Sequence, residues 1–90
     1  MNELKYIVVL LNGMTTESAI LFRGSITHST VVPPECKVVG AGFCTVKASG
    51  GFLFVTCRGG SESLEIESRP KEDADAIEAA LTKMHSYSEY

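Results

Sequence analysis

The hydrophobic pattern is most continuous near the start of the chain. An unbroken apolar run covers Tyr6 to Leu11 within a stretch rich in β-branched residues that begins at Leu4, and Asn12-Gly13 follows it. A short apolar run that ends in a turn signal is typical of a buried strand, and it is shorter than most helices. The pattern therefore predicts a largely buried first strand over Leu4 to Leu11.

Two more strands are predicted before the middle of the chain. The polar stretch Asn12 to Glu17 favours a loop, and Ala19 to Arg23 is a second strand that ends in a bend at Gly24-Ser25. Ile26 to Val32 is rich in Thr and Val, which favours a third strand. Pro33-Pro34 ends that strand because proline has no backbone N–H to donate to a neighbouring strand.

Paired glycines predict a tight turn in the middle of the chain. Gly50-Gly51 suit a two-residue hairpin turn, since glycine adopts the required positive φ without steric cost. With the turn placed there, Val46 faces Val55 and Cys44 faces Cys57.

A second glycine pair predicts a second turn and a third strand. A turn at Gly59-Gly60 places Leu64 opposite Val55 and Ile66 opposite Leu53. Both turns then put the same apolar set on one face of a three-stranded meander, since side chains alternate between faces. That set is Cys44, Val46, Leu53, Val55, Cys57, Leu64 and Ile66.

Two glycines lie outside the predicted turns. Gly40 and Gly42 fall inside a strand, where glycine indicates a bulge, a sharp bend or the close approach of another element. This pattern favours a strongly coiled sheet. It does not decide whether the sheet closes into a barrel.

The period changes to that of a helix after Ser68-Arg69-Pro70. Pro70 suits the first helical turn, and acidic residues follow it at the positive end of the helix dipole, with Lys83 and His85 near the negative end. A core-facing stripe is predicted at Ala74, Ile77, Ala80, Leu81 and Met84.

The length and composition predict one small folded domain. Ninety residues with 44% hydrophobic and 21% charged content are ordinary for a globular chain. We expect a single α+β domain over residues 1–85 and a flexible tail over 86–90. The predicted fold is a coiled, mainly antiparallel sheet of five to six strands with one C-terminal helix packed on it.

Charge is divided unevenly along the chain. Residues 1–60 contain five Lys or Arg and three Glu, whereas residues 61–90 contain three Lys or Arg and eight Asp or Glu. Nucleic-acid binding needs clustered basic residues, so no nucleic-acid partner is expected. The acidic run from Glu62 to Glu78 is interpreted as a solvated edge and helix face, and the alternative is a surface that mimics nucleic acid or docks a basic partner.

The cysteines and the apolar runs indicate the cellular compartment of the protein. Cys36, Cys44 and Cys57 form no C-x-x-C pair and are odd in number, which argues against a zinc knuckle or a secreted disulfide framework. The longest apolar run is too short to span a bilayer. We therefore expect a cytoplasmic protein with reduced thiols and no membrane partner.

Candidate chemistry is sparse. His28 could serve as a base for a cysteine nucleophile, but a histidine that is exposed or hydrogen-bonded at a sheet edge is the simpler interpretation. Cys44 and Cys57 are interpreted as small buried apolar residues. The glycine-rich stretches precede strands rather than helices, so neither predicts a phosphate or dinucleotide site. No catalytic residue, cofactor or metal is expected.

The aromatic residues of the hairpin give the best candidate surface. Phe43, Phe52 and Phe54 fall on the face opposite the cysteines, with Lys47 opposite Phe54 and Glu65 predicted on its other side. Either the helix covers this face, or the aromatic residues form an exposed patch with a polar rim. The complete candidate interaction surface is Phe43, Lys47, Phe52, Phe54, Arg58, Glu65 and Glu67.

Three short patterns carry a family resemblance. AGF at Ala41 to Phe43, S-x-S-L at Ser61 to Leu64 and SRP-x-x-D-A at Ser68 to Ala74 resemble a pattern in short uncharacterised bacterial and prophage proteins. The resemblance covers roughly the last two-thirds of the chain. It implies a small, single-domain protein of a kind that is often phage-associated, and it implies no activity and no catalytic residues.

Two functions follow as hypotheses. The first is a non-enzymatic interaction module, in the setting of a phage accessory protein, that binds a macromolecular partner or a second copy of itself. The second is a small-molecule binder or minor enzyme that uses His28 and a cysteine.

Overall fold

A four-stranded antiparallel sheet with one helix across it forms most of the molecule. The computed structural model describes residues 3–11, 13 and 15–88, with side chains described as far as residue 82. The elements, in chain order, are β1 (Glu3–Leu11), β2 (Glu17–Phe22), a 3₁₀ helix (His28–Val31), β3 (Cys36–Ser49), β4 (Phe52–Arg58), β5 (Gly60–Ser61), β6 (Ile66–Glu67) and α1 (Pro70–Ser88). The predicted α+β fold with a C-terminal helix is confirmed.

The strands divide into two sheets. The main sheet has the order β2-β1-β3-β4, and β5 pairs with β6 in a separate two-stranded sheet. Neighbouring strands are antiparallel throughout. The main sheet is open, with β2 and β4 at its two edges among the described strands, so it does not close into a barrel.

The predicted first strand, β1, is central and buried on both faces. It pairs with β2 on one side and β3 on the other, and its residues from Tyr6 to Val9 are all buried. A strand covered on both faces needs apolar residues at consecutive positions rather than at alternate ones. This requirement explains the continuous apolar run in the sequence.

Each face of the sheet has its own core. Helix α1 covers one face, where Ile77 packs with Tyr6, Val8, Cys44 and Cys57. The opposite core contains Ile7, Val9, Phe22 and Ala41, and it is covered by residues near the 3₁₀ helix and by Leu64 and Ile66. We call these the helix face and the loop face of the sheet.

The prediction for the two mid-strand glycines is confirmed. The pairing of β1 with β3 shifts between Val8 and Val9, which face Gly40 and Val38 respectively, so β3 contains a bulge there. A Cβ atom on Gly40 would overlap the Asp73 carboxylate of α1. A Cβ atom on Gly42 would lie 2.5 Å from the Arg58 carbonyl oxygen. Both glycines thus permit close approach by another element.

The predicted third strand over Ile26 to Val32 is wrong. Residues His28–Val31 form a 3₁₀ turn, with Thr30 N–H donating to the Thr27 carbonyl oxygen at 3.0 Å. The turn buries His28 against Phe22 and Phe43. This tertiary packing outweighs the β propensity of the Thr and Val residues.

The second predicted turn, at Gly59-Gly60, is also wrong. Gly59 has a φ of 76° and ends β4, after which the chain leaves the sheet edge, and β5 pairs with β6 so that Ser61 faces Ile66. Leu64 and Ile66 therefore pack on the loop face and not beside Val55 on the helix face. The three-stranded meander does not form, and β4 remains an edge strand.

The predicted start of helix α1 is confirmed, and so is part of the predicted core-facing stripe. It begins at Pro70, and Ala74, Ile77 and Leu81 pack on the helix-face core. The side chains of Lys83, Met84 and His85 lie outside the described ones. Because α1 extends to Ser88 and residues 89–90 lie outside the described residues, the flexible tail at 86–90 stays a prediction.

Candidate functional site

The β3–β4 hairpin presents the candidate surface. Gly50 and Gly51 have φ values of 58° and 85°, as a two-residue type I′ turn requires. The predicted register is confirmed, because Val46 pairs with Val55 and Cys44 with Cys57. The alternate positions of both strands therefore point away from α1. We call this side of the hairpin, with Phe43, Lys47, Phe52, Phe54 and Arg58, the hairpin face.

Two phenylalanines on the hairpin face are exposed. Phe52 is 70% exposed and Phe54 is 55% exposed. Lys47 pairs directly with Phe54 across the hairpin, as predicted. Since α1 covers the opposite face, most of the surface of both side chains is open, and the choice between a covered and an open aromatic face is settled at these two positions.

Phe43 has a different environment from the other two phenylalanines. Its ring meets His28 edge to face at 5.8 Å between centroids, and the Arg58 guanidinium lies 5.8 Å from its centroid. Arg58 also forms an ion pair with Glu3, which joins the end of β4 to the start of β1. Both partners of this pair are exposed, so it contributes little to stability. Phe43 is thus partly enclosed while its neighbours are open.

Glu65 does not flank Phe54, so that prediction is wrong. Glu65 lies in the turn between β5 and β6 with a φ of 56°, and Glu67 lies in β6. Both residues line an open depression of about 390 Å³ beside Phe43. The candidate surface therefore consists of an exposed aromatic part at Phe52 and Phe54 and an acidic part near Phe43.

The outer edge of β4 is the second accessible feature of the hairpin. In a two-residue hairpin the residues next to the turn form a hydrogen-bonded pair, and such pairs then alternate. Phe52, Phe54 and Thr56 thus direct their backbone N–H and C=O groups toward β3. Leu53 and Val55 direct theirs outward, where no strand pairs with them among the described residues.

An apolar groove lies on the other side of the same hairpin. It is open, has a volume of about 710 Å³ and separates the hairpin tip from the later part of α1. Its lining is Val46, Ala48, Gly51, Phe52, Leu53, Glu78, Leu81 and Thr82. Phe52 and Leu53 border both this groove and the free strand edge.

The structure does not bring His28 together with the paired cysteines. His28 is buried on the loop face, and its Nε2 donates to the Gly42 carbonyl oxygen at 3.0 Å. Cys44 and Cys57 are buried on the helix face, so the sheet separates them from His28. Burial raises the pKa of the Cys44 thiol to about 11 and raises that of Cys57 as well. Both thiols are therefore protonated at neutral pH and are poor nucleophiles.

A buried polar network at the start of α1 is the feature that the sequence analysis missed. The Asp73 carboxylate is fully buried, and its Oδ2 accepts hydrogen bonds from the Tyr6 hydroxyl at 2.6 Å and from the Arg69 N–H at 2.8 Å. Arg69 contacts Asp73 Oδ1 and also binds both carboxylate oxygens of Glu17, at 2.9 and 3.0 Å. The network thus joins β1, β2 and α1.

The charges in this network are mutually satisfied. Hydrogen bonds from Arg69 hold the pKa of Glu17 below its usual value, and the bond to Glu17 raises the pKa of Arg69. Burial, followed by the Asp73 carboxylate, raises the pKa of Tyr6. No buried polar side-chain atom of the described residues lacks a partner. The network is a structural clamp, and the sequence signals for it were Gly40 opposite the helix and an acidic residue in the first helical turn.

The chain therefore belongs to the class of open antiparallel α+β domains, with one helix over the sheet and an aromatic hairpin at its edge. No protein-family model, curated protein or solved structure matches it. Among the described residues no helix is long and apolar enough to cross a membrane, and no cluster of three or more metal-ligating side chains occurs.

Proposed function

We propose that this protein is a non-enzymatic interaction module that binds a macromolecular partner through the hairpin face. The observation that carries the proposal is the pair of exposed aromatic rings, Phe52 at 70% and Phe54 at 55% exposure, on the paired strands β3 and β4. Exposed aromatic clusters beside charged residues are typical of binding surfaces. Lys47 and Arg58 supply the charged residues here.

The burial of the candidate chemical groups supports a binding role over catalysis. His28 and the cysteine pair lie in separate cores, and the fully buried Asp73 carboxylate is already engaged by Tyr6 and Arg69. By contrast, the side chains of Phe52 and Phe54 are open to a partner without any rearrangement of the sheet.

The biological setting is also part of the proposal. The resemblance in AGF, S-x-S-L and SRP-x-x-D-A supports a phage or prophage accessory protein. A cytoplasmic location is supported by three free thiols, of which Cys44 and Cys57 are buried as protonated core residues. A reducing compartment keeps such thiols unoxidised.

Site-specific photo-crosslinking tests the proposal. A benzophenone amino acid at Phe54 should give a discrete crosslinked product in living cells, whereas the same group at Lys71, an exposed position at the start of α1, should not. Phe52→Ala in the Phe54 probe should lower the yield about tenfold, because aromatic anchors dominate binding energies. Equal products from both positions, or none from Phe54, would contradict the proposal.

A further inference from the structure

We propose that the hairpin binds a second copy of this chain by pairing β4 with β4 of the copy, antiparallel about a two-fold axis at Phe54. This inference rests on the proposed function, and it names the partner that the exposed hairpin fits. It unites the two accessible features of the hairpin, its aromatic face and its unpaired strand edge.

The edge itself lacks the usual protection against pairing. Edge strands that remain single commonly carry charged residues or proline, yet β4 has no such residue from Phe52 to Cys57. The opposite edge strand differs, because Ile20 of β2 packs into the loop-face core and Ala19 and Leu21 pack into the helix-face core. Of the two edges, β4 is the one that leaves large apolar side chains exposed.

The position of the axis follows from which part of the edge is free. The N–H of Ser68 donates to the Gly59 carbonyl oxygen at 2.9 Å, so the chain that follows β6 lies beside the far end of β4. We therefore place the pairing segment at Phe52 to Thr56, away from that neighbour, and its middle residue is Phe54. A strand that pairs with its own copy about a two-fold axis places its middle residue opposite itself.

This register satisfies both the backbone and the side chains. It makes Leu53 and Val55 of one copy the hydrogen-bonded partners of Val55 and Leu53 of the other, and these are the residues whose N–H and C=O groups point outward. Phe54 then meets Phe54 in the closer, non-hydrogen-bonded type of pair, and Phe52 meets Thr56.

The copy is the favoured partner because the edge is complementary to itself. Aromatic residues pair on the hairpin face and aliphatic residues pair on the groove side, with no like charges directly opposed. The groove-side pair also brings Val55 of the copy beside Leu53, which lines the groove. A two-fold contact closes on itself, so we expect dimers and not open-ended assemblies.

The strand edge is a small interface, so the association should be reversible and depend on concentration. Sedimentation of the purified full chain should give a mass that rises from 9.7 kDa to twice that value over the micromolar range. Phe54→Lys and Phe54→Glu should each raise the dimer Kd at least tenfold, since each places like charges opposite each other at the axis. Both variants should keep the wild-type circular dichroism, because Phe54 is 55% exposed.

An equimolar mixture of the two variants is the decisive measurement. Opposite charges then meet at the axis, so a heterodimer should form with a Kd at least tenfold below that of either variant alone. Ser49→Lys is the matched control, because it adds the same charge to the same face one strand farther from the axis, and it should leave the Kd within about threefold of wild type.

The outcomes separate this inference from the proposed function. A purified chain that stays monomeric, a mixture that gives no rescue, or open-ended association would overturn β4 pairing between copies. Crosslinking from Phe54 to a different protein, together with a monomeric purified chain, would overturn the self-pairing and retain the interaction module.

Discussion

At the scale of single residues, Gly40 determines how closely α1 approaches the sheet. The Asp73 carboxylate occupies the space that a Cβ atom on Gly40 would fill. The same carboxylate is fully buried and takes its hydrogen bonds from Tyr6 and Arg69. The missing side chain at position 40 is therefore what allows a charged group to be buried there with all its partners in reach.

Gly40→Ala should consequently destabilise the fold by about 2–4 kcal/mol, since it would force the carboxylate away from its partners or move the helix. Gly24→Ala is the matched control, because a Cβ atom there would meet nothing within 4 Å, and its effect should stay within about 0.5 kcal/mol. Urea unfolding followed by circular dichroism measures both. Similar free energies of unfolding for the two variants would show that α1 adjusts without cost.

At the scale of elements, one side chain anchors the start of α1 to the sheet. Asp73, in the first turn of the helix, accepts the backbone N–H of Arg69, the residue before the helix, in the manner of the acidic member of a capping box. The hydroxyl of Tyr6 ties the same carboxylate to the central strand. Capping and docking of α1 are therefore a single interaction.

A double-mutant cycle should expose this coupling. Tyr6→Phe should cost about 1–3 kcal/mol, because the buried carboxylate loses a donor, and Asp73→Asn should cost a similar amount. The double variant should be less destabilised than the two costs added together by about 1 kcal/mol. Glu72→Gln, an exposed acidic position in the same helical turn, should change stability by less than about 0.5 kcal/mol. Additive costs in the cycle would contradict a shared interaction.

The elements that the sequence predicted well are those with a local cause. Gly50-Gly51 predicted the hairpin register because a two-residue turn fixes which residues pair. Gly59-Gly60 predicted a second hairpin turn on the same grounds, but that turn does not form. The apolar residues Leu64 and Ile66 are buried on the loop face instead. Packing across a sheet depends on distant residues, and no local pattern reveals it.

The candidate site shows the same limit. The alternation in β3 and β4 correctly placed Lys47 opposite Phe54, whereas the position of Glu65 depended on the third strand that does not form. Asp73 was predicted only as a charge that suits the helix dipole. Its burial requires Gly40 and Tyr6, which come together only through the tertiary fold.

At the scale of the whole molecule, the helix-face core contains three titratable side chains whose pKa values are raised. Burial raises the pKa of Cys44 to about 11, and the pKa values of Cys57 and Tyr6 are also raised by burial. Each of these groups is neutral when protonated, so the core is stable while the protons remain. The unfolded chain releases them at lower pH than the folded chain does.

The free energy of unfolding should therefore have its full value below pH 9 and fall as the pH rises toward 11, because deprotonation then favours the unfolded chain. For Cys44 alone the loss should be on the order of 2 kcal/mol. Urea titrations at several pH values between 8 and 11 measure it. Cys44→Ala should show a shallower decline, while a wild-type free energy of unfolding that stays flat over this interval would refute the expectation.

The central position of β1 has a consequence for how the chain is made. The ribosome delivers this strand before its partners, since one of its two neighbours, β3, begins only at Cys36 and the helix that covers one of its faces begins at Pro70. The hydrophobic segment of β1 therefore remains incompletely buried until β3 and α1 have been synthesised. We therefore expect chaperones to contact Tyr6–Val9 early.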